Sequence, residues 1–501
     1  VASLQPYFIV FAASACGLII EIVAGRLLAP SIGVSLYTWT SIIGVVLAGI
    51  SAGNYLGGRV ADRFPSATTL ALILLAGGLS SLSVLPLVGL VSQAFQSLPI
   101  ISRLILLTTT LFFLPSLILG MVTPVVVKLQ LRDLASTGNV VGRIYALSTA
   151  GAIFGTFLTG FVLIQWIGTR SVLLGVSLVL VVLALSLKDL WRSRWWGWSL
   201  LAVFVGVGSF SYLDGDLNGP CQRESTYYCI RIGQQEMEGR TVKTLALDWL
   251  LHSYVDLDDP SFLAYAYEKV FADVVAVLAQ ENPELRVLFI GGGGYTMPRY
   301  LEVYYPQSTL EVIEIDPEVT AVAFQYLGLP HVTNIVTYNE DARTKLPNLP
   351  VGGYDLVIGD AFNDLSVPYH LTTLQFNQQV KALLKDRGIY MVNVVDKLHT
   401  GRFLRAYVNT LQRTFPQVYV LRDDADWDSD RRYTYAVMGS QAPLDITALQ
   451  EANLRAGRVP VAQLMPGEAF QAWQASRGSI VLTDDYVPVE NLLAPLYLES
   501  R

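Results

Sequence analysis

The sequence predicts a multi-pass α-helical membrane domain of about seven spans, followed by an α/β domain built on a nucleotide-binding parallel sheet. Three observations predict it. The 501 residues are 52% hydrophobic and only 15% charged, an apolar excess for a soluble protein. That excess lies in residues 1–212, which hold 11 Lys/Arg against 4 Asp/Glu, net +7, whereas the remainder holds 23 against 37, net −14. Residues 286–316, RVLFIGGGGYTMPRYLEVYYPQSTLEVIEID, read as strand, glycine loop, helix and a second strand with an acidic end, the opening of a doubly wound sheet.

Seven segments, 7–29, 36–57, 67–91, 101–121, 144–166, 171–187 and 195–212, are apolar enough to span a bilayer, which takes about 20 helical residues. With several such segments in series, the first is a poor candidate for a cleaved signal peptide. Gly49, Gly53 and Gly57 share one helical face, as do Gly151 and Gly155. Small residues at that spacing let helices pack closely in lipid; a substrate path is the competing reading. Glu21 and Arg26 fall inside the first span, where charge is costly and marks a candidate functional group; pairing of Glu21 and snorkelling of Arg26 are the plainer alternative. Arg59, Arg63, Lys128, Arg132, Arg143, Lys188, Arg192 and Arg194 lie in the second, fourth and sixth loops, against Arg103 and Arg170 in the others. This bias puts the amino terminus inside and, after seven spans, the rest of the chain outside.

Residues 213–220 form a turn-rich linker, and a small β-hairpin region follows, with strands at 227–232 and 242–247 around Gly239. The domains read 1–212, 213–260 and 261–501. Cys221 and Cys229 are spaced to close a small disulfide in an oxidising compartment, or to remain two free thiols in a reduced one. Further strands fall at 287–290, 310–315, 335–338, 356–358, 389–395, 418–421 and 433–438, with helices such as 373–384 and 401–415 between them. This alternation predicts a mostly parallel sheet with helices on both faces.

Ligands of such a sheet sit at the carboxyl ends of its strands. Gly291, Gly292, Gly293 and Gly294 end the first strand, Glu314 ends the second at the distance suited to ribose hydroxyls, Asp341 follows the third and Asp360 the fourth. No Gly-Lys-Ser/Thr follows the glycines, so this is not a phosphate loop. Tyr295 and Met297 leave little room for a pyrophosphate, and adenosine without phosphates fits better. No His/Cys cluster has metal-ligand spacing, so no metal is expected. The acidic second half lacks the Lys/Arg runs that nucleic acid needs.

Together VLFIGGGG, VIEIDPEV, NEDA, YDLVIGDAF and LTDDYVPVENLL resemble the spermidine synthase-like (polyamine aminopropyltransferase) family, in particular its membrane-fused members. The resemblance covers residues 222–400 and 482–493. It implies a Rossmann-like methyltransferase/spermidine synthase fold, with S-adenosylmethionine or its decarboxylated form as substrate and no metal. It implies that Gly291 to Gly293 line the nucleoside loop, that Glu314 holds the ribose, that Asp341 and Ala342 meet the adenine, and that Asp360 accepts a proton from the attacking amine. The family's GGGDG carries an acid where this chain has Gly294, and that loss favours the intact sulfonium. The family's Tyr-Gln pair appears as Tyr227-Tyr228, the Gln after its Leu-Asp-Gly as His252, and its Tyr-His-Glu as Tyr265-Ala266-Tyr267. Tyr228, His252 and Tyr265, with Asp364 and His370, are the substrate-side candidates; a capping role for Asp364 and a surface role for His370 are the alternatives. Asp484 and Asp485 read as caps of a closing turn.

The expected function is aminopropyl transfer to an amine by an integral membrane enzyme. Methyl transfer and internal displacement releasing methylthioadenosine are the alternatives, as is a transporter or sensor with a non-catalytic nucleoside domain. GGRVADRF (57–64) resembles a loop of major-facilitator transporters. Expected partners are the amine or the sulfonium itself, the lipid bilayer and a second copy of the chain, since soluble relatives pair through their sheet domains. The expected location is a bacterial-type cell membrane, and a cytoplasmic sulfonium supply tips the catalytic domain toward the cytoplasm although the loop charges argue for the other side.

Overall fold

The computed structural model describes residues 4–131, 136–187, 195–361, 367–476 and 480–497. The chain forms two compact units, Val1–Cys229 and Ile230–Glu499.

The first unit is helical: α1 (Gln5–Ile32), α2 (Leu36–Arg63), α3 (Ala67–Ala94), α4 (Ile100–Gly120), α5 (Val122–Gln130), α6 (Thr137–Leu158), α7 (Thr169–Leu185) and α8 (Trp196–Leu213). Ser35 and Ser66 start α2 and α3 by accepting from the Thr38 and Thr69 N–H at 3.2 and 3.1 Å, which satisfies donors a helix start leaves open. α5 continues α4 past Met121, and α6 runs on through a wide turn at Thr159–Leu163 to Ile167. Counted with those extensions, six helices among the described residues are long and apolar enough to cross a membrane. The 17-residue α7 is shorter, about 26 Å at 1.5 Å per residue. Arg132, Lys188, Arg192 and Arg194 lie outside the described residues.

Both glycine faces are helix-packing seams. A Cβ on Gly49 would come within 2.8 Å of Ser116 Cβ, one on Gly57 within 2.7 Å of Met121 Cα, and one on Gly53 would overlap the Leu117 carbonyl. Likewise a Cβ on Gly155 would approach the Ala15 carbonyl to 2.5 Å, and one on Gly151 would overlap that of Phe11. Backbone therefore touches backbone between α2 and α4 and between α1 and α6. Gly53→Leu is expected to disrupt the unit, lowering its apparent melting temperature in detergent by several degrees, since overpacking costs about 1–3 kcal/mol or more. Gly44→Leu, at a position with nothing within 4 Å, is the matched control and should change little.

Arg26 near the end of α1 donates to the carbonyls of Tyr227 and Ser225 at 2.6 and 2.5 Å. Glu224 accepts from the backbone N–H and hydroxyl of Thr169, which begins α7, at 2.7 and 2.6 Å. Arg170 bonds the Asp216 carbonyl. Segment 214–229 is thus pinned to one end of the bundle, and Cys221 and Cys229 are joined by a disulfide.

The second unit opens with three antiparallel strands, β1 (Cys229–Met237), β2 (Arg240–Leu247) and β3 (Leu250–Val255). Two were expected there. The third follows a tight turn in which Asp248 takes φ +53°, and Trp249 continues directly into it. An eight-stranded sheet follows: β4 (Arg286–Ile290), β5 (Thr309–Ile313), β6 (Ile335–Tyr338), β7 (Tyr354–Gly359), β8 (Leu384–Asp396), β9 (Gln417–Arg422), β10 (Tyr433–Ser440) and β11 (Gln463–Leu464), in the spatial order β11-β9-β10-β8-β7-β4-β5-β6. Strands β4 to β8 pair in parallel, and the carboxyl-terminal strands join antiparallel. The near-continuous apolar runs of β4 and β5, with Val287, Leu288, Leu310 and Val312 fully buried, are what a sheet covered on both faces requires. α9 (Ala266–Glu281), α10 (Thr296–Tyr304), α11 (Pro317–Tyr326), α12 (Leu374–Leu383) and α13 (Phe403–Leu411) are its main connections.

Candidate active site

The glycine loop joins β4 to α10 and lies beneath the end of β7. Gly291 takes φ +100° and Gly293 φ +50°, a left-handed region that glycine enters without cost. A Cβ on Gly291 would overlap the Asp360 carbonyl, so the absence of a side chain lets loop and carboxylate strand meet. Tyr295 also takes a left-handed φ, +57°. Its ring is fully buried and its hydroxyl sits 3.2 and 3.1 Å from those of Thr320 and Thr337. These contacts hold a conformation that costs a non-glycine residue about 1 kcal/mol or more.

Glu314, just past β5, is buried. One carboxylate oxygen accepts from the Gly292 and Gly293 N–H groups at 2.8 and 3.3 Å, and the other accepts from Asp316 N–H at 3.0 Å. Burial raises its pKa while these donors pull it down. The acid that the sequence assigned to a ribose therefore also fixes the shape of the loop, and the oxygen that receives Asp316 N–H keeps a second lone pair for a ligand hydroxyl. Asp341 caps the turn beginning at Ala342 by accepting from Arg343 N–H at 2.8 Å. Its other oxygen lies 3.1 Å from His370 Nε2. His370, a substrate-side candidate, thus stands against Asp341. Arg343 ties the region together by donating to the His370 carbonyl at 2.7 Å and the Thr373 hydroxyl at 2.9 Å, and by pairing with Asp484.

Asp360, one residue past β7, forms part of the wall of a cavity of about 410 Å³, with Leu250, Leu251, His252, Tyr265, Ala266, Tyr267, Asn393, Val395, Arg432, Tyr433 and Thr434. Tyr267 donates its hydroxyl to Asp360 at 3.1 Å and Asn393 its amide at 2.7 Å. Burial pushes the Asp360 carboxyl up to about 6 against the pull of these two donors. A carboxylate with that pKa is ionised at neutral pH and still basic enough to take a proton. His252 is driven the other way, down to about 4, by burial, so it is neutral in the cavity wall. Tyr265 stacks on Tyr267 at 5.5 Å between ring centroids and donates to the Leu251 carbonyl at 2.7 Å. Tyr228 sits on the disulfide-closed loop of the first unit, and Asp364 lies outside the described residues.

Residues 265–422, which hold the glycine loop, Glu314, Asp341 and Asp360 with Tyr267 and Asn393, match the spermine/spermidine synthase domain family. Polyamine aminopropyltransferase 2 of Ralstonia nicotianae is 23% identical over 464 residues, 83% of this chain and 84% of that protein. The domain at residues 265–422 is spermine/spermidine synthase-like. A polyamine aminopropyltransferase of Vibrio vulnificus is 32% identical over 140 residues, 28% of this chain, which spans less than half, 46%, of that relative. The human eEF1A lysine and N-terminal methyltransferase is 27% identical over 34% of this chain and 26% of its own length.

Two further features shape the site. First, the place of the acid missing at Gly294 is filled: a Cβ there would lie 2.5 Å from Ser253 Cβ and 3.0 Å from Val255 Cγ2, and the Ser253 hydroxyl accepts from Gly294 N–H at 2.9 Å. Second, Glu268, which sequence reasoning passed over, is buried behind the tyrosines. It accepts from the Thr296 hydroxyl at 2.5 Å and from Tyr265 N–H at 3.2 Å, and burial pushes its carboxyl up to about 7. A buried acid inside the apolar face of α9 was the available signal for Glu268. Tyr267, Asn393 and Ser253 were also missed as a group around Asp360 and the loop.

Proposed function

We propose that this chain is a membrane-embedded transferase that binds an adenosyl sulfonium, S-adenosylmethionine or its decarboxylated form, and passes an aminopropyl-type group to an amine. The reading rests on the Asp360 carboxylate, which lies in a cavity wall, against a side-chain-free glycine loop, with its pKa raised by burial against the hydrogen bonds of Tyr267 and Asn393. The amine nitrogen bonds to the carbon beside the sulfonium as the carbon–sulfur bond breaks. The electron pair stays on sulfur, giving methylthioadenosine, and the proton leaves nitrogen for Asp360. Glu314 and Asp341 hold the nucleoside, so that most of the rate gain comes from positioning. Incubation of purified protein with each sulfonium and a set of amines, followed by mass spectrometry, tests the reading. Methylthioadenosine with an aminopropylated amine is the expected product pair. Adenosylhomocysteine instead would mean that the methyl group left, and nucleoside binding with no product would point to a sensor or transporter. The crowding at Gly294 favours a second reading, in which the intact sulfonium undergoes methyl transfer or internal displacement.

Asp360 acts as a base only when ionised. With its carboxyl at about 6, turnover is expected to fall tenfold per pH unit below about pH 6 and to level off above it. The Tyr267 hydroxyl lowers that pKa, so Tyr267→Phe should move the limb to higher pH; an unmoved limb would show that Tyr267 does not tune the base.

The six long helices, with α7 as a seventh, are read as crossing a bilayer. The end of α1 and the start of α7 both bond segment 214–229, as seven crossings require, while Arg59, Arg63, Lys128 and Arg143 lie in the loops of the other face. Those cations and the Cys221–Cys229 disulfide favour an oxidising, non-cytoplasmic side for the second unit. Paired carboxyl-terminal alkaline phosphatase and fluorescent-protein fusions decide it: phosphatase activity supports this side, and fluorescence alone would reverse it.

A further inference from the structure

Within the helical unit, α3, the junction of α4 with α5 and the start of α8 enclose a cleft of about 860 Å³. Its walls are apolar, with Leu72, Ile73 and Ala76 from α3, Ile118 and Met121 from the α4–α5 junction and Leu200 from α8. At the deep end α4 closes on α3: a Cβ on Gly77, next to Ala76, would lie 3.6 Å from Ile118 Cγ2. Phe64, just past α2, and Trp196, the first residue of α8, complete the lining at the level of the helix ends and are 56% and 75% exposed. Ser66 and Thr69 supply the hydroxyls of the wall, and both are engaged within it. They lie 2.9 Å apart, Ser66 accepts from Thr69 N–H at 3.1 Å, and Thr69 donates to the Phe64 carbonyl at 2.8 Å. A polar solute would give up hydration for few hydrogen bonds in such a wall, and a hydrocarbon chain gives up none.

Depth and charge narrow the occupant. From Ser66 to Ala76 the axis of α3 rises about 15 Å, the depth of one leaflet of a hydrocarbon core about 30 Å thick. The shallow end is cationic. Arg63, in the last turn of α2, has its guanidinium 5.5 Å from the centroid of the Phe64 ring. Arg59, one turn earlier on the same face of α2, lies over the Tyr55 ring at 4.3 Å. Neither arginine has an acidic partner among the described residues, since Asp62, the acid between them, pairs with Lys128 at 2.7 Å. An arginine fork matches a phosphate in two hydrogen bonds, and a second cation favours a headgroup whose net charge is negative.

We propose that this cleft is a binding site for an anionic phospholipid, with one acyl chain lying along α3 between α4 and α8 and the phosphate held by Arg63. The inference rests on the bilayer reading of the helices given above.

The test uses the full-length protein purified in detergent, as wild type, Arg63→Gln, Ala76→Phe and Leu90→Phe, the last an exposed position further along α3. Native mass spectrometry measures the retention of phosphatidylglycerol and of phosphatidylcholine with identical chains. The wild type is expected to hold phosphatidylglycerol in preference to phosphatidylcholine. Arg63→Gln weakens phosphatidylglycerol about fivefold and leaves phosphatidylcholine within about twofold. Ala76→Phe, which fills the deep end, removes both lipids, and Leu90→Phe changes neither. Leu200→Trp, from the α8 wall, repeats the blocking test should Ala76→Phe not fold. Phosphatidylglycerol retention that the blocking substitutions leave intact would overturn the site, and a preference that survives Arg63→Gln would overturn the phosphate contact. A dimer that Ala76→Phe dissociates, with no lipid retained by the wild type, would put a second copy of the chain in the cleft and overturn the lipid. Release of the chain from cell membranes by alkaline carbonate without detergent would instead strike the bilayer reading itself.

Discussion

Asp360→Asn is expected to lower kcat about a thousandfold while leaving nucleoside affinity within about threefold, since general-base contributions run from about a hundredfold to ten-thousandfold. The substitution keeps the shape of the side chain and removes only the site that takes the proton. An amide in that place can still receive the Tyr267 hydroxyl and face Asn393, so the cavity should persist. The acidic limb of the pH profile should disappear with the carboxylate. Turnover equal to wild type, measured as methylthioadenosine release, would remove Asp360 from the mechanism, and a fall in binding as large as the fall in kcat would make it an anchor rather than a base.

Gly294→Asp gives the second large effect. Restoring the family's acid by sequence alone should not produce an enzyme selective for the decarboxylated sulfonium, because Ser253 Cβ already stands 2.5 Å from where the new Cβ must go. The loop would have to move, and with it the Gly292 and Gly293 N–H groups that Glu314 holds. Overpacking at such a site costs about 1–3 kcal/mol, and nucleoside binding is expected to weaken about tenfold to a hundredfold. Adding Ser253→Gly, which clears the space, should recover most of that loss. If Gly294→Asp alone bound the decarboxylated form better than wild type does, the loop would have shown a freedom that its contacts do not suggest.

How far the sequence could be read depended on the range of each signal. Apolar length is a local property, and a helix lies over each expected span, although α2 ends at Arg63 rather than 57 and α6 begins at Thr137 rather than 144. The acids at the ends of β5, β6 and β7 were visible because a parallel sheet brings successive strand ends to one edge. What escaped was set by contacts between distant parts of the chain. Ser253 is 41 residues before Gly294, on a strand whose only local sign is a turn at Asp248. Asn393 is 33 residues after Asp360, inside a long apolar run where one amide looks incidental. His370 shows what distance along the chain leaves open: it is ten residues from Asp360, and the turn after Pro368 delivers the ring to Asp341. Arg432 gave no signal in a run of charged residues, and only the antiparallel pairing of β10 with β8 puts it at the cavity.

The glycine seams of the first unit bear on what the bundle is able to do. A carrier that alternates access must let its helices slide or change neighbours, and sliding needs side chains that can repack between two arrangements. Where Gly53 meets Leu117 and Gly151 meets Phe11, main chain rests on main chain, so there is no rotamer to exchange. α2 with α4, and α1 with α6, are therefore expected to travel as fixed pairs in any motion of the bundle. Such pairs make a rigid platform in the membrane, and rocking, if it occurs, is confined to the joints between them.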